Sequence, residues 1–128
     1  MNKIFGIGTD VVDVSRIKKL IDKNKTFINR IFSIKEIKYC NSRSNKFSSY
    51  SKRFAAKEAF AKALGVGISK GISFNEISIN NNKDGKPFIE LLGNTKTIVK
   101  KLIKKKNKIY LSLSDEKKYA IAMVVITL

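Results

Sequence analysis

The stretch that most constrains the fold runs from about Phe47 to Leu64, where KRFAAKEAFAKALG is dense in Ala, Phe, Leu, Lys and Glu. All but Phe are good helix formers, and Gly65 and Gly67 supply the stop. Successive helical residues turn by about 100°, and on that wheel the apolar side chains fall almost all round. A helix of this kind must be covered by the rest of the chain.

What flanks it is patterned for strands and shorter helices. Residues 3–8 (KIFGIG) read as a short buried strand in which Gly6 and Gly8 allow close backbone approach, ending in a turn at Thr9-Asp10. A helix follows, capped by Asp13 or Ser15, with Ile17, Leu20 and Ile21 facing inward and Arg16, Lys18, Lys19 and Lys23 facing water. Phe27, Ile28, Ile31 and Phe32 form a second helical stripe, and SIKE at Ser33–Glu36 is a capping box that opens a third helix. The serine-rich residues 41–51 read as a loop or a weak helix start, and GVGISKG after the long helix as a glycine-rich turn. Strands are expected at Glu76–Ile79 and Phe88–Leu92 around an Asp84-Gly85 turn, and an amphipathic helix at Thr95–Lys104. IYLSLS and YAIAMVVITL close the chain as a hairpin around DEKK. At 128 residues this makes one domain, 1–128, of class α+β, with a mostly antiparallel sheet packed on the long helix.

Composition removes several chemistries. With one cysteine, Cys40, and no histidine, an internal disulfide, a zinc site of the usual kind and a Ser-His or Cys-His catalytic pair are all excluded. Any metal must be held by oxygen ligands, as magnesium, manganese or calcium are. No window approaches the ~20 apolar residues of a membrane span, and the N-terminal segment lacks a signal peptide pattern. A soluble protein of the reducing cytoplasm is expected. The formal net charge of +17 attracts polyanions, whether nucleic acid, phosphorylated cofactor or acidic protein; the abundance of Lys, Asn and Ile also fits an AT-rich genome.

Two of the ten acids stand out. Asp10 ends an apolar strand beside glycine backbone, and reads either as a turn or capping aspartate or as a ligand. Glu58 lies among Phe54, Ala55, Ala59 and Ala61 on the long helix, where a carboxylate must be paired or bind a cation. Lys62, one turn later, is the plain partner, an i,i+4 pair worth about 0.2–0.5 kcal/mol. Two carboxylates with waters and phosphate oxygens make an ordinary magnesium site, and Arg53, Lys57 and Lys62 on the same helix could then clamp phosphates.

Taken in order, GIGTDVVDVSRI, RFAAKEAFAKALG, DGKP and LSLSDEKKYAIAMVVI resemble the holo-acyl-carrier-protein synthase family of phosphopantetheinyl transferases over essentially the whole chain. The resemblance implies the 4′-phosphopantetheinyl transferase fold and transfer of the phosphopantetheine arm of coenzyme A to a serine of apo acyl carrier protein, releasing 3′,5′-ADP, in support of fatty acid biosynthesis. It implies Asp10 and Glu58 as Mg2+ ligands, with the coenzyme A diphosphate completing the shell, and Lys62 on the phosphates. Arg53, Lys57, Gly85, Lys86 and Pro87 would line the cofactor cleft, and Arg16 would meet the acidic recognition helix of the carrier protein. One departure is Asp115, where the family carries histidine near the cofactor. An anion there repels phosphate unless Lys117, Lys118 or a cation neutralises it.

Magnesium, Glu58 and Lys62 would then drive the transfer, with Glu58 or a water it orients taking the serine proton. A homotrimer follows from the resemblance, each site needing a neighbouring subunit, its glycine-rich turn or terminal strands set against the helix that carries Glu58. Neither nucleic acid nor membrane is an expected partner. The alternatives are a basic, non-catalytic nucleic-acid-binding protein, suggested by the charge and the 100–108 run, and a relative that binds carrier protein without turnover.

Overall fold

The computed structural model describes residues 3–65 and 71–128. The elements run β1 (Ile4–Asp13), α1 (Val14–Lys23), α2 (Phe27–Ile31), α3 (Ile34–Asn41), α4 (Lys46–Leu64), a 3-10 turn Phe74–Glu76, β2 (Ile77–Asn81), β3 (Pro87–Leu91), α5 (Gly93–Leu102), β4 (Lys108–Glu116) and β5 (Tyr119–Thr127). The strands form two antiparallel sheets, one of three strands in the order β1-β5-β4 and one of two, β2-β3. The expected α+β architecture is present, with the strands divided between two sheets.

Helix α4 is the axis of the molecule. Ala55, Ala56, Ala59 and Phe60 are fully buried, and the helix packs on β1 and β5 along one side and on α1 and α3 along others. It ends at Gly65 in the left-handed conformation, φ +76°, which an L side chain disfavours. Residues 66–70, which include Gly67 and most of the expected glycine-rich turn, lie outside the described residues.

The three-stranded sheet alternates strictly. Val12, Ala120, Ala122, Val124 and Ile126 face α4 and are buried, whereas Ile7, Val11, Tyr110, Ile121 and Met123 project from the opposite face and are exposed. Strand pairing brings these outward residues into adjacent rows, with Val11 opposite Ile121 and both Ile7 and Tyr110 opposite Val125. Among the described residues no helix is long and apolar enough to cross a membrane.

Local expectations fared unevenly. The Ser33 capping box is present, with the Glu36 carboxylate accepting from Ser33 N at 2.8 Å. Asp13 caps α1 by accepting from Ser15 N at 2.9 Å. The serine-rich segment is helical from Lys46 onward. Thr9 and Asp10 do not turn: β1 continues through them to Asp13, because β5 pairs with the strand throughout, Thr9 opposite Met123 and Asp10 opposite Ala122. Asp115 and Glu116 likewise extend β4, leaving the turn to Lys117, at φ 42°, and Lys118.

Candidate active site

The site begins with backbone contact between β1 and α4. A Cβ on Gly6 would sit 1.8 Å from the Ala63 carbonyl oxygen, and one on Gly8 would sit 1.8 Å from that of Ala59. Only glycine fits at either position. The two contacts also show the strand descending the helix as residue numbers rise. Strand alternation puts Asp10 on the same face as Gly8, which directs its carboxylate to the next stretch of α4, where Glu58 stands.

Three expected site residues therefore converge. Lys62 Nζ donates to Asp10 Oδ1 at 3.2 Å and to the Thr9 carbonyl at 2.9 Å. The Asp10 side chain is 17% exposed and the Lys62 side chain 57% exposed, so the pair sits at an open edge. Burial first, and the Asp10 charge second, push the Glu58 carboxyl above its ordinary range; Lys62 and Arg16 pull it the other way. Glu58 is thus within electrostatic reach of both the second carboxylate and two cations. It lies in a cleft of about 540 Å³ shared with Arg16, Arg30, Phe54 and Phe74. Arg16 extends over the Phe54 ring at 6.0 Å, placing its guanidinium on the same side of α4 as Glu58.

A divalent cation would find two carboxylates and a carbonyl here, all hard oxygen donors, and an ammonium already drawn to one of them. No group of three or more acidic, Cys or His side chains able to hold a metal occurs among the described residues.

Gly85, Lys86 and Pro87 do not join this group. Gly85, at φ +85°, forms the β2–β3 turn, and Asn82 Oδ1 accepts from Lys86 N at 3.0 Å. This hairpin borders a second cleft of about 520 Å³, with Tyr39, Asn81, Gly85 and Phe88 among its walls. The two clefts have no lining residue in common. Arg53 belongs with the hairpin: it donates to Asn81 Oδ1 at 2.7 Å and to Ser49 Oγ at 3.0 Å, and stacks on Tyr39 at 4.4 Å. Its guanidinium is buried, so it braces the hairpin from beneath.

Lys57 is a correction. It was expected at the cofactor, but its side chain is fully buried and donates to Glu36 Oε1 at 2.7 Å, to the Phe74 carbonyl at 2.9 Å and to the Ile77 carbonyl. Its three N–H donors are all engaged in the interior. The second Glu36 oxygen accepts from Ile79 N at 3.0 Å, so one ion pair ties α3, α4, the 3-10 turn and β2 together. Glu36 read from sequence as a cap alone; its partner lies 21 residues away, and no local pattern links them.

Asp115 is neutralised, though not by the lysines of its own turn. It accepts from Ser48 Oγ at 2.9 Å and lies 3.6 Å from Lys52 Nζ, both on α4.

A sequence profile of the 4′-phosphopantetheinyl transferase superfamily matches residues 6–124. The holo-[acyl-carrier-protein] synthase of Pelagibacter ubique is 48% identical over 125 residues, covering 97% of each chain. Among solved structures, the holo-(acyl-carrier-protein) synthase of Bacillus anthracis in complex with CoA (3′,5′-ADP) superposes with a TM-score of 0.79 at 34% identity, covering 97% of this chain and 96% of that one. The Helicobacter pylori synthase in complex with coenzyme A gives 0.80 at 36% identity, covering 94% and 98%.

Proposed function

The chain belongs to the 4′-phosphopantetheinyl transferase superfamily, and from that premise we propose how its residues divide the work. It is an enzyme that transfers 4′-phosphopantetheine from coenzyme A to a serine of apo acyl carrier protein, releasing 3′,5′-ADP, in support of fatty acid biosynthesis. What supports the site reading is one observation: Asp10, remote along the sequence, comes up to the neighbouring turns of α4 that carry Glu58 and Lys62, at the edge between β1 and α4. The nucleic-acid alternative is set aside, since full-length relatives at this identity are synthases.

Asp10 and Glu58 would hold Mg2+, which when bound would offset diphosphate charge and polarise the transferred phosphoryl group. Lys62 turns its ammonium to the phosphates and stabilises the charge that grows on departing 3′,5′-ADP. The carrier-protein serine attacks the phosphorus that bears pantetheine. A new serine O–P bond forms as the bond to 3′,5′-ADP breaks, and the serine proton passes to Glu58 or to a water that Glu58 orients. Arg16, flanked on α1 by Lys18, Lys19 and Lys23, meets the acidic helix of the carrier protein, a contact whose strength falls with salt.

Of the remaining cofactor contacts, Gly85 lines a different cleft from Glu58, Lys86 and Pro87 follow it in the same hairpin, and Arg53 is bonded to Asn81 in that cleft's wall. A neighbouring subunit is therefore needed to complete each site. The surface that supports assembly is the outer face of the three-stranded sheet, where Ile7, Val11, Ile121, Met123 and Tyr110 form a contiguous apolar patch of the kind monomers seldom leave open. The assembly is a homotrimer of one-domain chains (1–128), working in the cytoplasm, where the free thiol of Cys40 stays reduced.

The test is intact-mass analysis of apo acyl carrier protein incubated with the chain, coenzyme A and Mg2+. The expected result is a gain of one phosphopantetheine on the carrier serine with stoichiometric release of 3′,5′-ADP. An unmodified carrier protein in the presence of folded, assembled chain would reject the activity.

A further inference from the structure

Lys62 touches the carboxylate that a metal would need. Its ammonium lies 3.2 Å from Asp10 Oδ1 and 2.9 Å from the Thr9 carbonyl; among the described residues no other carboxylate is within 4 Å of it, and Glu58 feels its charge from one turn away. The side chain is long, flexible and largely exposed, one turn beyond Glu58 on α4. A monovalent ammonium and a divalent ion therefore compete for one carboxylate. Two unit charges ~4 Å apart interact in water-like screening by about the energy of a fivefold change in affinity, and a divalent ion feels twice that energy.

We propose that Lys62 is a two-position residue that couples cation binding to diphosphate binding. On Asp10 it opposes the divalent ion; drawn to a diphosphate, it releases the carboxylate and removes that opposition. The two ligands then favour one another beyond any direct contact between them, and the coupling is reciprocal. The competition also blunts metal binding before the cofactor arrives. The inference rests on the reading of Asp10 and Glu58 as the metal ligands.

The test is Mn2+ binding followed by electron paramagnetic resonance, with no carrier protein present and so no turnover. It uses the full chain, Lys62→Met, Lys62→Arg and Asp10→Ala, each with and without saturating coenzyme A. Lys62→Met is expected to bind Mn2+ roughly five- to thirtyfold more tightly than the unmodified chain when coenzyme A is absent. The tightening produced by coenzyme A is expected to be correspondingly smaller in Lys62→Met, and Lys62→Arg, which keeps the charge, should stay near the unmodified chain. Because Lys62 is exposed, the variant is expected to fold, which circular dichroism checks. Unchanged, weaker or undetectable Mn2+ binding in Lys62→Met would overturn the coupling. If Asp10→Ala binds Mn2+ as well as the unmodified chain does, the metal-site reading itself falls and the coupling with it. Binding lost in Asp10→Ala but not tightened in Lys62→Met rejects the coupling alone.

Discussion

Lys57 and Glu36 meet at 2.7 Å with neither side chain exposed, and Lys57, which directly precedes Glu58 on α4, points into the core. Removing one member strands the other as a buried charge, which costs about 3–5 kcal/mol. Lys57→Met should therefore lose about that much in urea denaturation, and the double variant Glu36→Gln/Lys57→Met should recover a large part of it. A single-variant loss below about 1 kcal/mol would show that the pair is not the knot described.

The contact of Gly8 with Ala59 makes a second prediction. A methyl group at Gly8 has backbone oxygen in its way, which cannot move aside as a side chain end can, so Gly8→Ala forces β1 off α4. Overpacking of this kind costs about 1–3 kcal/mol or more. Because Asp10 is carried by the same strand, Mn2+ binding should weaken along with stability. Gly85→Ala, in an open turn with nothing within 4 Å of its Cβ, has only backbone strain to oppose it and should leave Mn2+ binding intact.

These two cases mark what was legible in the sequence. The Gly6-x-Gly8-x-Asp10 spacing and the position of Glu58 on a helix apolar all round were visible, because strand and helix periodicities are local. The passage of β1 through Thr9-Asp10 was not: those residues favour a turn by themselves, and only β5, more than a hundred residues later, supplies the pairing that keeps them extended. Lys57 looked like one more cation on the phosphate side, since nothing near it in sequence announces Glu36. The neutralisation of Asp115 escaped for the same reason: Ser48 and Lys52 come from a helix distant in sequence.

Glu58 makes a prediction about pH. Its carboxyl is pushed above the usual 4.5 by burial and by Asp10, so between 4.5 and its raised value the folded chain holds more protons than the unfolded chain. Stability from this group is complete below 4.5 and is lost as pH rises through the raised value. In metal-free buffer, Glu58→Gln should melt above the unmodified chain at neutral pH, and the difference should vanish below pH 4.5. Its transferase rate should fall by about 100-fold or more. A variant less stable than the parent at neutral pH would contradict this electrostatic picture.

Assembly is tested on the outer sheet face. Met123 is 45% exposed on that face, so lysine there is tolerated by a single chain but not by an apolar interface. Met123→Lys should sediment as a 14.4 kDa monomer, keep its far-ultraviolet circular dichroism, and lose most of its activity because each site lacks its neighbour's hairpin. A monomer with full activity would place both halves of the site on one chain.

The most direct measurement is phosphopantetheine transfer to apo acyl carrier protein, read by intact mass, for the parent chain, Asp10→Ala and Glu58→Ala, each with Mg2+ and with a chelator. The account predicts a mass gain for the parent with Mg2+ alone, abolished by the chelator and lowered at least about 100-fold in both variants. Undiminished transfer by a folded Asp10→Ala or Glu58→Ala chain, or by the parent without divalent metal, would contradict it.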